Sequence, residues 1–139
     1  MATITDELLK NLKFSSDIEE FFKKYESYFI DETPVGYMNK MLKYKNTTVS
    51  DVAKNSGVGE YAYKVFKGDR TPSRDVLIAL SFGLNLQLEE AQLLLRISKF
   101  AVLDSRNKRD SIIIYALSHD LSVFEADDLL EEQNTATIN

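Results

Sequence analysis

The chain contains no cysteine, which excludes a disulfide framework, a thiolate zinc site and a thiol nucleophile. Histidine is nearly absent too: His119 is the only one. It falls at an expected helix end, where a solvated imidazole is a simpler reading than a general base. Five glycines are scattered singly, so there is no Gly-rich phosphate loop. The acidic pairs Glu89-Glu90, Asp127-Asp128 and Glu131-Glu132 are sequence neighbours, which splay around a helix instead of converging on a reactive atom. No spacing of His, Asp or Glu suits a metal. The expectation is a protein that is not an enzyme and carries neither cofactor nor metal. Long apolar runs are missing as well: nothing approaches the roughly 18 residues of a membrane span, and the start MATITDELLK has no apolar leader core. A soluble, cytoplasmic chain follows as an expectation.

What is present is a helical pattern over 139 residues, 44% of them hydrophobic, enough for one core. Thr5 can cap a short amphipathic helix ending in LLKNL, and Ser16-Asp17-Ile18-Glu19 matches the capping box of a helix over 17–29, with Ile18, Phe21, Phe22, Tyr25 and Phe29 on one face. After Pro34, Val35, Met38, Met41 and Leu42 share the face of a helix running to Lys45. The spacing predicts further helices over 74–82, closed by Gly83, and over 88–100. Ser105 is placed to cap a helix containing SIIIYAL, too apolar for a single-sided surface helix. Ser122-Val123-Phe124-Glu125 is a second capping box, opening a last helix with Phe124, Leu129 and Leu130 inward. No β-hairpin signal and no internal repeat stands out. The fold class predicted is all-α, a compact helical bundle. It divides into an N-terminal helical extension (1–33), a core (34–100), a C-terminal helical extension that packs on the core or dimerises (101–133) and a flexible tail (134–139).

The stretch VSDVAKNSGVGEYAYKVFKGDRTPSRDVLIALSFGL, residues 49–84, packs short helical patterns between stop signals. Val49, Val52 and Ala53 share a face, and Gly57 follows as a stop. Ala62, Val65 and Phe66 repeat the spacing over 60–67, leaving Glu60, Tyr63, Lys64 and Lys67 opposite, and Gly68 ends that helix. Two short helices joined by a Gly-containing turn read as a helix-turn-helix, a motif whose second helix enters the DNA major groove in its DNA-reading form. Charge singles out the same region. Residues 36–75 carry eight Lys or Arg against four acids, whereas residues 1–35 carry four against eight and residues 76–139 five against ten, within a net charge of −5. A basic island between acidic flanks neutralises phosphates where it touches them.

The order of short helix, Gly turn, second helix, G-x-x-x-P-S-R loop and supporting helix resembles the lambda-repressor-like helix-turn-helix proteins, often called the XRE family. YAYKVFKGDRTPSRDVLIALSFGLNLQLEEAQLLL and NKRDSIIIYALSHDLSVFEADDLL resemble a subgroup of such regulators from Gram-positive bacteria. The resemblance implies an all-helical bundle that binds operator DNA, usually as a dimer, and regulates transcription. Two positions depart from the family pattern. The step from Gly57 to Gly68 is one residue shorter, so the turn or the start of the second helix must differ, and Val49-Ser50 stands where the family carries a Gln.

Helix geometry makes Glu60, Tyr63, Lys64 and Lys67 the base-contact candidates, since Lys reaches guanine acceptors and Glu accepts from cytosine. Lys43, Lys45, Thr47, Thr48, Ser50, Tyr61, Arg70 and Arg74 are the phosphate-contact candidates, Tyr61 being equally suited to the core. Arg106, Lys108 and Arg109, beside Asp104 and Asp110, read as a salt-bridged cap. The partners expected are double-stranded DNA, a second copy joined through residues 100–133, and a protein partner if the fold serves instead as an adaptor, antitoxin-like or inhibitor module. No membrane contact is expected.

Overall fold

The structure, a computed structural model, describes residues 4–14, 17, 18 and 32–139. The chain divides into two compact units, Met1–Asp31 and Glu32–Asn139. In the first, α1 (Ile4–Phe14) has Asp6 and Glu7 in its opening turn and Lys13 in its last, the order that complements the helix dipole. The helix expected over 17–29 lies, beyond Asp17 and Ile18, outside the described residues.

The second unit is all helical among the described residues: α2 (Pro34–Tyr44), α3 (Val49–Ser56), α4 (Tyr61–Phe66), α5 (Arg74–Gly83), α6 (Leu88–Ile97), α7 (Lys108–Ser118) and α8 (Val123–Glu132). The expected segments 34–100, 101–133 and 134–139 all lie within this unit. Its core draws on every helix: Met38 and Met41 from α2, Val52 from α3, Val65 from α4, Leu77 to Leu80 from α5, which is buried all round, Leu94 and Leu95 from α6, Ile113 from α7 and Leu130 from α8. Removing each such side chain from water contributes about 1.5–3 kcal/mol.

The helices come as pairs with one turn design. Asn46, Asn85 and Asp120 take φ of 53°, 57° and 54°, the left-handed conformation that Asn and Asp tolerate best after Gly. The next N–H then reaches back to a carbonyl near the helix end: Thr47 to Leu42, Leu86 to Ser81 and Leu121 to Ala116, each at 3.0 Å. Thr48, Gln87 and Ser122 follow as N-caps of α3, α6 and α8. α5 ends at Gly83 as expected, but the left-handed position of the turn falls on Asn85. Gly83 also lets α3 lie close against this end of α5: a Cβ there would stand 2.7 Å from the Val52 carbonyl oxygen.

An internal repeat, not evident by eye in the sequence, emerges from the contacts. Residues 70–104 and 105–139 match at a step of 35, Arg74 to Arg109. Arg74 Nε donates to Ala101 O at 2.9 Å and its Nη2 to Val102 O at 3.4 Å. Arg109 Nε donates to Ala136 O at 2.8 Å and its Nη2 to Thr137 O at 3.0 Å. Gln92 accepts from Leu103 N at 2.7 Å, and Asp127 accepts from Ile138 N at 2.6 Å. Each is the same contact one repeat on. The two copies also clasp each other: Arg74 pairs with Asp110 and Arg109 with Asp75, both at 3.0 Å. α5 lies on α8 as α7 lies on α6. Such reciprocal contacts are those of a two-fold arrangement.

Three other expectations change. Asn107, not Ser105, caps α7, its side chain accepting from Asp110 N. Phe124 points outward at 53% exposure, while Val123, Ala126 and Leu130 are buried. Residues 134–139, expected as a flexible tail, are docked: Ile138 is buried, held by the Asp127 and Arg109 contacts, and Asn139 Nδ2 donates to Ser56 O at 3.0 Å.

Candidate nucleic-acid interface

Thr48 opens α3, its hydroxyl accepting from Asp51 N at 3.2 Å, and Val52, Ala53 and Ser56 turn inward. Gly57 ends the helix at φ 75°. Ser56 then organises the turn: its hydroxyl donates to Ala53 O at 3.3 Å and accepts from Val58 N at 3.2 Å. Gly59 follows at φ 72° with open space where a Cβ would be, so conformation alone favours glycine there. Gly57 and Gly59 thus put two left-handed residues within three positions of the turn. The second helix starts late, at Tyr61, and Glu60 occupies its N-cap position without a side-chain cap bond.

The six residues of α4 span roughly 9 Å. Ala62, Val65 and Phe66 are buried beneath it. Asn39 Nδ2 donates to the carbonyl of Phe66 at 3.1 Å, satisfying one of the open acceptors at the helix end, and Gly68 turns the chain away at φ 82°. On the outer side, Glu60, Tyr63, Lys64 and Lys67 are all exposed, as the spacing predicted. Lys64 and Lys67 enter no salt bridge among the described residues.

The phosphate candidates divide. Lys43, Thr48, Ser50 and Arg70 are exposed and Thr47 is half-buried. Arg70 folds back onto the carbonyl of Asp69 at 2.9 Å. Lys45 is engaged with Glu90 at 2.8 Å and lies over the Tyr44 ring. Arg74 belongs to the clasp with Asp110, its guanidinium saturated by a carboxylate and two carbonyls. Tyr61 is half-buried against the core. Arg106 pairs locally with Asp104 at 3.4 Å, whereas Lys108 donates to Gln133 O and Arg109 reaches across to Asp75. Lys54, exposed in the last turn of α3, is a further cation of this region, outside the phosphate candidates that the sequence reading gave. It was findable, since it lies opposite the Val49, Val52 and Ala53 stripe.

Among the described residues, the one strongly shifted group is structural. Tyr37, beneath α6, has its phenol pushed up to about 12, first by burial and then by the negative charges of Glu90 and Glu32, and it donates to the Glu90 carbonyl at 3.1 Å. His119 closes α7, its Nδ1 2.8 Å from Tyr115 O and its ring stacked on Tyr115. Among the described residues, no helix is long and apolar enough to cross a membrane. Comparison with protein-family models, with curated proteins and with solved structures matched none of them to this chain.

Proposed function

We propose that the chain is a sequence-specific double-stranded-DNA-binding regulator of transcription, working in the cytoplasm, with α4 entering the major groove. The observation that carries this reading is the two-sidedness of α4. Its apolar stripe is spent on the core, and Glu60, Tyr63, Lys64 and Lys67 face outward with the two lysines uncommitted. The cations Lys45, Arg74 and Arg109 are taken up by ion pairs, whereas Lys64 and Lys67 enter none among the described residues. Lys64 and Lys67 supply donors for guanine or phosphate, Glu60 an acceptor for cytosine, and Tyr63 an apolar edge for a thymine methyl. Exposed Ser50, Thr48 and Lys43 provide phosphate contacts that set register.

Selection from a random duplex pool tests this. A site should be enriched, and Lys64→Ala with Lys67→Ala should weaken binding to it and lower the slope of log affinity against log salt by about 2 if both lysines meet phosphate. Unchanged binding across salt concentrations would remove α4 from the interface. A pool that enriched no duplex would leave the other reading of this fold, a protein-interaction module, which the exposed acids Glu125, Asp128, Glu131 and Glu132 of α8 support.

A further inference from the structure

Residues 70–104 and 105–139 differ in what covers them. In the first copy Leu77, Leu80 and Leu94 are each fully buried at 0% exposure. Their counterparts one repeat on are Ile112, Tyr115 and Leu129. Ile112 and Leu129 are half-buried and Tyr115 is 51% exposed. With Ser111 and Gln133 they line an open groove of about 400 Å³ between α7 and α8. Contacts between the copies are reciprocal and so treat both alike. The difference in burial therefore comes from what only the first copy has, the α2–α4 segment, with α3 lying on α5 and α2 on α6. The structure thus shows what covers a face of this design: a two-helix element with an apolar side.

Charge states the rest. In the first copy Glu90 accepts from Gln87 N at 2.8 Å and also receives Lys45 from the end of α2 at 2.8 Å. Its counterpart Glu125 makes the matching cap bond, accepting from Ser122 N at 3.0 Å, but forms no salt bridge among the described residues. Glu125 and Leu129 are four apart on α8 and so share a face. Asp128 and Glu132 stand exposed beside them. Two copies meeting groove to groove would bring these acids together, whereas an incoming helix with lysines along its apolar stripe would neutralise them.

We propose that the α7–α8 groove docks a basic amphipathic helix of a partner protein, seated as α2–α3 is seated on α5 and α6, with a lysine of that helix meeting Glu125. Apolar side chains at i, i+3, i+4 and i+7 fill the space between Ile112, Tyr115 and Leu129. This surface is separate from α4, so it serves a regulator that recruits another protein as well as a module that binds no DNA.

The test uses the full chain and three labelled helical peptides of one composition class: leucines at helical spacing flanked by lysines, the same leucines flanked by glutamates, and the lysine peptide with its order scrambled. Fluorescence anisotropy should show saturable binding of the first, and about tenfold or weaker binding of the other two. Tyr115→Ser, at an exposed position that leaves the core intact, and Glu125→Lys should each cost the lysine peptide about tenfold. Circular dichroism and melting of both variants confirm that the fold is kept. Equal binding of all three peptides, no saturable binding, or indifference to both substitutions overturns the proposal. So does a dimer in sedimentation equilibrium that Tyr115→Ser converts to monomer, which would make a second copy the occupant.

Discussion

Replacing Gly83 by alanine sets two effects of known size against each other. Gly83 is the last residue of α5, and on helix propensity alone alanine should stabilise the chain by at most about 1 kcal/mol. Against this, the added Cβ would stand 2.7 Å from the carbonyl oxygen of Val52, 2.9 Å from Ser56 Cβ and 3.1 Å from Val52 Cγ1. Ordinary C···O contacts begin near about 3.3 Å. The nearest atom belongs to the backbone of α3 and cannot rotate aside, so α3 must retreat from α5 along its length. Overpacking of this kind costs about 1–3 kcal/mol, and the upper end applies because a whole helix face loses contact. The net expectation for Gly83→Ala is a loss of about 2 kcal/mol, or about 10 °C in Tm for a unit of this size. The repeat supplies the control. Ser118 stands at the equivalent position of α7 and is exposed, so Ser118→Ala should change stability by no more than about 0.5 kcal/mol. Urea unfolding of the two variants and the parent decides the matter. If Gly83→Ala raised the midpoint or left it unchanged, the close approach of α3 and α5 would be refuted.

The clasp between the repeats predicts unequal losses from two chemically identical changes. Asp110 is 10% exposed and faces Arg74, whereas Asp75 is 45% exposed and faces Arg109. Asp110→Ala removes a largely buried carboxylate that accepts from Arg74 and from the Asp104 amide and should cost about 3 kcal/mol, while Asp75→Ala, at an exposed carboxylate, should cost about 1 kcal/mol or less; equal losses in denaturant titration would show that burial of the carboxylate does not set the difference. Tyr37 predicts an alkaline effect. Its folded pKa is raised from the ordinary 10.0 to about 12, so between those values the folded chain holds a proton that the unfolded chain has released. The stability contributed by keeping this phenol protonated is complete below pH 10 and lost as pH rises toward 12, by at most about 2–3 kcal/mol. Tyr37→Phe should lack that component, so the stability difference between parent and variant must shrink or reverse across this range; parallel curves would rule out the buried phenol as its source.

Much of the local structure was legible because its causes are local. The stripe Val49, Val52 and Ala53, the stops at Gly57 and Gly68, and the second capping box at Ser122 depend on residues within one or two turns, and the helices begin and end close to where those signals fall. So does the outer face of α4: once Ala62, Val65 and Phe66 are buried, Tyr63 and Lys64 have no direction left but outward. Gly83 ends its helix as expected but hid a packing role, because a glycine that ends a helix and one that admits a neighbouring helix look alike in sequence. Phe124 misled for a related reason, since its large ring fits an inward pattern that the smaller Val123 and Ala126 fulfil instead.

What the sequence by itself determined is the all-helical character, the pairs of helices and the basic island around α4, all consequences of spacing, capping and composition along a few residues at a time. Only the tertiary structure decided which charges are free. Arg74, Lys45, Arg109 and Lys64 are equivalent as entries in a count of cations, but three of them meet carboxylates from positions far along the chain. Pairing of that kind depends on how helices stack, which no local pattern encodes. The repeat belongs to the same category. Its two copies are identical at nine of 35 positions, and packing gives these and the positions between them a common set of contacts: an arginine on two carbonyls, a polar side chain on a backbone amide, and a left-handed residue at each turn. These come into being only when the helices are packed, and with them the groove between α7 and α8 that the first copy fills and the second leaves open.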